Sequence, residues 1–360
     1  MSSLVQLRYE PTTTFYMSKQ RATRNAGLTR RAFLPALGVA ASGSVWRSIP
    51  AGGASQPDAK PRLTFVQIND LHVQEPGTTI KGYNSANEKA QWVVQEINRQ
   101  PPDFVLGIGD LIHGERLDQL PRDLAAFQQI IKPLKAPFYP AMGNHEVVQR
   151  EGDSVYEKAY RDVFGDQRVN YTFEAGGLRF IMLNNSGAVV VGPDIIRRRN
   201  AWLNDVLKAH PGQPKILACH IPIIPVRDEP VLAKSFGFRS YAAHDPELLA
   251  LVDEHAGSII AVLSGHLHLT GQAERKGVHH ISICGTASYP SDFARYQVFD
   301  ERIVMQVSQL PSALAQTTTS LHGHPRHKMD FTDAAHENAE LYKVGRSEER
   351  NLTIWRKRPQ

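Results

Sequence analysis

Apolar and polar positions along this chain fall into blocks of two kinds, short continuous runs and helical repeats. The runs Leu63–Ile68, Phe104–Ile108, Ile216–Cys219 and Ile259–Leu263 predict buried strands. Between them, apolar residues recur at helical spacing. Ala90, Val93, Val94 and Ile97 share one face of a helix near Ser85–Arg99, and Leu124, Phe127 and Ile131 share one within Leu120–Ile131, where Pro121 is tolerable in the first turn. The run Ala136–Pro140 predicts a third strand leading to Gly143-Asn144-His145-Glu146. Further helices are expected at Ser154–Phe164, Asp194–Ala209 and Pro246–His255. Tyr171–Phe173 and Leu178–Leu183, joined by Ala175-Gly176-Gly177, read as a hairpin. Two more strand pairs follow, Gln272–Arg275 with Val278–Ile283 and Arg295–Phe299 with Ile303–Val307. Ile221–His244 reads as an irregular loop, and the tail from Leu310 is polar. Helices alternate with strands first, and strands dominate later. That order predicts an α/β sandwich of central sheets flanked by helices.

Composition supports a sizeable core: 41% of 360 residues are hydrophobic. The net charge of +5 is unevenly placed. Residues 1–54 hold seven Lys/Arg and one acid, Glu10, which leaves 34 basic and 35 acidic residues in the body. A near-neutral body argues against a nucleic-acid-binding surface. Cys219 and Cys284 both sit in apolar runs, which suits two core thiols; a single disulfide stays open.

The basic start has its own reading. Thr29-Arg30-Arg31-Ala32-Phe33-Leu34 precedes an apolar, small-residue run from Pro35 to Val45, the layout of an export signal. The paired arginines resemble the twin-arginine type, which carries folded proteins. Cleavage is expected after Ala54 rather than Ala41, and Met17 would open a more ordinary signal. The expected partition is a signal peptide at 1–54, a linker at 55–61, a domain at 62–309 and a C-terminal extension at 310–360. The expected partner is the twin-arginine translocation machinery. The expected location is the periplasm or outside the cell, with membrane anchoring if the signal is retained. No apolar run after residue 55 is long enough to span a membrane.

Candidate chemistry lies at five strand ends: Asp70 and His72; Asp110; Asn144 and His145; His220; His266 and His268. Ligands of open α/β sheets bind at the carboxyl ends of strands, so these groups are expected to converge. Within Asp70-Leu71-His72 and His266-Leu267-His268, alternate residues at a strand end point the same way. Oxygen and nitrogen donors without thiolate suit Mn, Fe, Zn or Ni. So many donors suit two metals about 3.5–4 Å apart, the usual clamp for phosphoryl chemistry.

These blocks, in this order, resemble the calcineurin-like metallophosphoesterase superfamily over roughly residues 62–300. The similarity looks closest to bacterial phosphodiesterases related to cyclic-nucleotide phosphodiesterases. It implies a four-layer α/β/β/α sandwich of two mixed sheets flanked by helices. It implies one metal on Asp70, His72 and His268, a second on Asn144, His220 and His266, and Asp110 bridging. The metals would be two divalent or trivalent ions, Fe, Mn or Zn. His145 would lie beside the scissile phosphate. Purple acid phosphatases carry a tyrosine three residues after the bridging aspartate; His113 stands there in this chain, which disfavours that subgroup.

The implied reaction is hydrolysis of a small phosphate ester. A hydroxide between the metals attacks phosphorus, and His145 donates to a phosphoryl oxygen or protonates the leaving oxygen. Glu146 is expected to orient a ligand or to act as a cap. Arg227, Lys234 and Arg239, with Phe236, Phe238 and Tyr241, make the 221–244 loop a candidate substrate rim; His72 to Tyr83 is a second. A phosphodiesterase is favoured. The alternatives are a broad-specificity phosphomonoesterase and a non-catalytic metal-binding scaffold.

Overall fold

Leu63–Ile68 forms strand β1, which is parallel to β2 (Phe104–Ile108), and β2 is parallel to β3 (Phe138–Ala141). Helices α1 (Ala86–Arg99) and α2 (Leu120–Ile131) make the crossovers that parallel strands require. The protein is seen in a computed structural model that describes residues 60–78, 83, 85–114, 116–147, 157–186, 193–227, 245–315, 320–321, 324–325 and 339–355. All of these lie in the compact unit Gln56–Gln360. The expected signal peptide and nearly all of the linker fall outside the described residues, as do the first residues of the helix expected at Ser154–Phe164. That helix is described as α3 (Lys158–Phe164).

The second sheet opens with the hairpin of β4 (Tyr171–Ala175) and β5 (Leu178–Met182). β6 (Lys215–Ala218), β7 (Ile259–Ser264) and β9 (Val278–Ser282) run parallel to β5, and β8 (Gly271–Arg275) is an antiparallel edge. Its order is β4-β5-β6-β7-β9-β8. α4 (Pro193–Ala209) and α5 (Pro246–Glu254) form its crossovers. α5 starts where Asp245 accepts the Leu248 amide at 3.0 Å and Pro246 fills the first helical position. In the first sheet β1 is also antiparallel to β10 (Asp292–Val298), and β10 to β11 (Arg302–Gln309). A two-residue ribbon pairs β12 (Ser320–Leu321) with β13 (His324–Pro325).

Strand alternation sorts the residues into layers. Phe65 faces inward, stacking on Tyr296 at 4.4 Å and meeting Phe180 of the other sheet edge-on at 5.3 Å. Val66 faces outward, where Val93, Ile97, Leu124 and Phe127 of α1 and α2 cover the first sheet. Leu203, Leu207, Leu248 and Val252 of α4 and α5 cover the second. The result is the expected α/β/β/α arrangement of two mixed sheets flanked by helices. Among the described residues no helix is long and apolar enough to cross a membrane. Cys219 and Cys284 are buried free thiols.

The expected boundary at 309 does not end the packed structure. After α6 (Ala339–Val344) and α7 (Ser347–Arg350), β14 (Asn351–Trp355) pairs antiparallel with β11 and completes the order β14-β11-β10-β1-β2-β3. Ile354 is buried in the core between the sheets. Its pattern escapes notice because one buried apolar residue in a short strand, far from the rest of the sheet, resembles the polar tail around it.

Candidate metal centre

The turns leaving β1, β2, β3, β6 and β7 meet at one place. Asp70, His72, Asp110, His266 and His268 have positive φ values of 48°, 47°, 48°, 69° and 49°. Left-handed backbone costs an L-residue on the order of 1 kcal/mol, though Asp and His tolerate it better than most. β1 ends at Ile68 and β7 at Ser264, so the expected strand alternation is not what aims the paired ligands. Two left-handed residues flanking a leucine do so instead. The turns are held by backbone bonds from Asp70 N to Gly109 O (3.0 Å), His72 N to Asp110 O (3.0 Å) and Gly265 N to His220 O (3.0 Å).

Asp70, His72, Asp110, His220, His266 and His268 are brought to this place, and Asn144 stands in the turn whose next amide, His145 N, donates to Asp110 Oδ1. His268 Nε2 lies 3.0 Å from Asp70 Oδ1 and 3.1 Å from His72 Nε2, which is 3.9 Å from Asp110 Oδ2. His220 Nε2 lies 3.0 Å from the same Asp110 Oδ2. Donor atoms group as Asp70, His72, Asp110 and His268 and as Asp110, His220 and His266, with Asp110 shared; His72, His113 and His145 make a third group that overlaps the first at His72. Asp70 Oδ1, His220 Nε2 and Asn144 Oδ1 are buried without a hydrogen-bond partner. The first two therefore approach neighbours at 3.0 Å without hydrogen-bond geometry. Two donors each about 2.1 Å from one cation at a right angle are themselves about 3.0 Å apart. The residues fit cations that each pair shares.

Supporting groups fix the donors. Asp70 Oδ2 accepts from Asn69 Nδ2 (2.6 Å) and His266 N (3.0 Å), which leaves Oδ1 for the centre. His220 Nδ1 bonds Ile108 O at 2.9 Å, so Nε2 faces inward. His268 Nδ1 lies 2.7 Å from Ser288 Oγ. Such partners set ring orientation in metal sites. His145 Nδ1 bonds His113 O, and its Nε2 stands 3.9 Å from Asp110 Oδ2 with the ring partly exposed. Glu146 is neither solvated nor a simple cap. Its carboxylate accepts the amides of Gly143 (2.5 Å), Asp110 (3.0 Å), Leu111 (2.7 Å) and Ile112 (3.2 Å), joining the Asn144 turn to the Asp110 turn.

Electrostatics follow from burial and close packing of like groups. Burial, then neighbouring histidines, hold His72 well below its ordinary range; burial, then His220, lowers His266 to about 4. Burial, then Lys343, lowers His268 to about 3. These rings are neutral and ready to bind a metal at neutral pH. Burial opposes charge on His220 and Asp110 too, but each favours the other's charge. His220 rises to about 10 and Asp110 falls well below the carboxylate range. Burial raises Asp70 to about 6.

The candidate rims fare differently. Arg227, expected to hold a phosphate, is buried and bonds Glu349, Thr270 O and Tyr342 O. It is structural. Lys234, Phe236, Phe238, Arg239 and Tyr241 lie outside the described residues. Tyr83 closes the other side, its ring 4.4 Å from His72 and 5.0 Å from His113. His113 is buried rather than solvent-facing, 5.2 Å from the His145 ring. Asn69 and Ser288 join the site without being expected there. Asn69 carries a signal, a polar residue beside Asp70 at a strand end; Ser288 carries none, being remote in sequence from every ligand but His266 and His268.

Two packed mixed sheets with this oxygen and nitrogen cluster at their edge define the class, a metal-dependent phosphoester hydrolase. The chain belongs to the calcineurin-like phosphoesterase family, whose profile matches residues 63–269. It is similar to a 3',5'-cyclic-nucleotide phosphodiesterase of Nostoc sp., 25% identical over 61% of this chain and 76% of that one. In structure it is similar to a dimetal phosphatase from Danio rerio, with a TM-score of 0.55 and 19% identity over 69% of this chain and 97% of that one. A purple acid phosphatase from yellow lupin gives a TM-score of 0.54 at 14% identity, over 74% of this chain and 58% of that one.

Proposed function

We propose that the protein is a dinuclear phosphodiesterase. Asp70, His72 and His268 would hold one cation and Asn144, His220 and His266 a second, with Asp110 available to both. The observation that carries this reading is the two donor groups that share Asp110, in which Asp70 Oδ1 and His220 Nε2 are buried without a hydrogen bond. Cations held by these residues would supply Lewis-acid activation of water and offset charge on phosphoryl oxygens. The chain's own groups do the rest. With Nδ1 donating to His113 O, His145 Nε2 carries a proton only as imidazolium, the form that donates to a phosphoryl or leaving oxygen. Tyr83 and His113 wall one side and limit water on the His72 ring. Preference for a diester is supported by the relative from Nostoc sp. named as a cyclic-nucleotide phosphodiesterase. The Thr29–Leu34 stretch and the apolar run after it support export by the twin-arginine route, with the periplasm or exterior as destination.

The test is metal content and hydrolysis together, on protein beginning at Ser55. The expected result is about two metals per chain and faster turnover of bis(p-nitrophenyl) phosphate than of p-nitrophenyl phosphate, both lost in Asn144→Ala and His266→Ala. Faster monoester turnover makes the protein a phosphomonoesterase. Folded protein with no metal and no turnover after Mn, Fe or Zn is supplied sinks the enzyme reading.

A further inference from the structure

The tail contributes more than an edge strand. Tyr342 of α6 is fully buried in a small cluster with Val226, Leu267 and Leu269. Leu267 and Leu269 alternate with His266 and His268, so the apolar side of that turn rests on Tyr342. Thr270, next in the chain, is held at each polar atom. Its amide donates to Lys343 O at 2.8 Å, its carbonyl accepts from Arg227 Nη2 at 2.6 Å, and its hydroxyl donates to Asp292 Oδ2 at 2.7 Å. Asp292 is in turn paired with Arg350, at 2.8 and 3.0 Å.

Arg227 ties in the other side. It lies on the loop leaving His220, and its buried guanidinium bonds Tyr342 O (3.1 Å), Val226 O (2.9 Å) and both oxygens of Glu349 (2.6 and 3.2 Å). Glu349 also accepts the Arg346 amide at 2.7 Å. The stretch Ala339–Arg350 thus grips both the turn carrying His266 and His268 and the loop that follows His220.

We propose that Ala339–Arg350 is a strap that positions these two metal-binding turns, with Glu349 and Tyr342 as positioning residues; this rests on the dinuclear reading of the metal centre. A metal site tolerates only about 0.5 Å of misplacement in its donors. Left-handed turns persist only where their surroundings over-determine them. Removing the Glu349 carboxylate leaves a buried guanidinium without its counter-ion, and the loop must shift to rehydrate it. The turns then relax, and the donors lose their shared focus before the sheets lose their packing.

The experiment compares Glu349→Ala with Ile354→Ala in the otherwise complete chain. Ile354 is buried in the inter-sheet core on β14, in a different apolar cluster from Tyr342, so it controls for lost stability. Amide hydrogen exchange is read in metal-free protein over residues 221–227 and 265–271, and Mn2+ affinity by chelator competition. The expected result for Glu349→Ala is faster exchange in both stretches and Mn2+ binding weakened roughly 10–100-fold. Ile354→Ala should lower the thermal midpoint comparably yet leave both readings at the wild-type value. Should Glu349→Ala not fold, Tyr342→Leu makes the same comparison. Equal loosening in both variants, or unchanged Mn2+ affinity in Glu349→Ala, overturns the strap. Wild-type protein that takes up no Mn2+ sinks the metal reading instead, and exchange alone then decides for or against the strap.

Discussion

Asp110 divides its carboxylate between two tasks. Oδ1 accepts the His145 amide at 2.9 Å, while Oδ2 faces His220 at 3.0 Å and His72 at 3.9 Å. The backbone of His145 is thereby fixed to the shared carboxylate, and its ring is fixed to His113 O. Positioning at both ends suits a proton donor and does not require the ring to bind metal. His145→Ala is therefore expected to lower kcat about 100-fold or more while bound metal stays at the wild-type level. Metal analysis of the purified variant beside steady-state kinetics checks this. Loss of metal in step with activity would make His145 a ligand and contradict its role as a proton donor.

At the scale of the element, the centre depends on turns that approach each other too closely for a side chain. A Cβ on Gly143 would lie 2.1 Å from the Asp110 amide nitrogen and 2.8 Å from Glu146 Oε2. Its φ of −103° is ordinary, so the obstacle is space and not backbone strain. Gly143→Ala should push the Asn144 turn off the Asp110 turn, break part of the Glu146 staple and cost about 1–3 kcal/mol of stability together with most of the metal. Urea denaturation and metal analysis test it; a variant as stable and as metal-rich as wild type would show that the turns separate freely. These turns also explain what the sequence disclosed. Strands, helices and all eight polar groups at strand ends could be read, because each rests on local periodicity or on a short polar block after an apolar run. The left-handed backbone of Asp70 and His268 could not, since nothing local distinguishes it from a continued strand. Nor could Ser288, Arg227 or β14. Their roles arise from contacts between segments far apart in the chain, as with Arg227 and Glu349.

For the whole molecule, burial of so many imidazoles couples stability to pH. In the metal-free protein His266, His268 and His280 are lowered by burial to about 4, 3 and 4, and His72 is lowered as well. Their folded pKa values lie below the unfolded 6.5, so the unfolded chain binds more protons as pH falls. Their contribution is full above pH 6.5 and is lost toward the folded values, at up to about 1.4 kcal/mol per pH unit for each group. Asp70 and Glu146, raised chiefly by burial to about 6 and about 7, oppose this with fewer groups. His220 runs the other way from the lowered histidines. Burial disfavours its charge, but Asp110 carries its folded value up to about 10. Its contribution is full below pH 6.5 and is lost as pH rises toward 10. Metal-free protein should therefore be most stable near pH 6.5–7 and weaker at both pH 5 and pH 8.5, as read by urea denaturation. Metal ligands must be deprotonated to bind, so saturating Mn2+ should remove the alkaline decline by taking the His220 proton's place. A metal-free stability that climbs steadily from pH 5 to 8.5 would mean that His220 is neutral and that Asp110 is not its counter-ion. In that case the shared carboxylate would stand at the centre of the cluster without the charge the two-cation reading gives it.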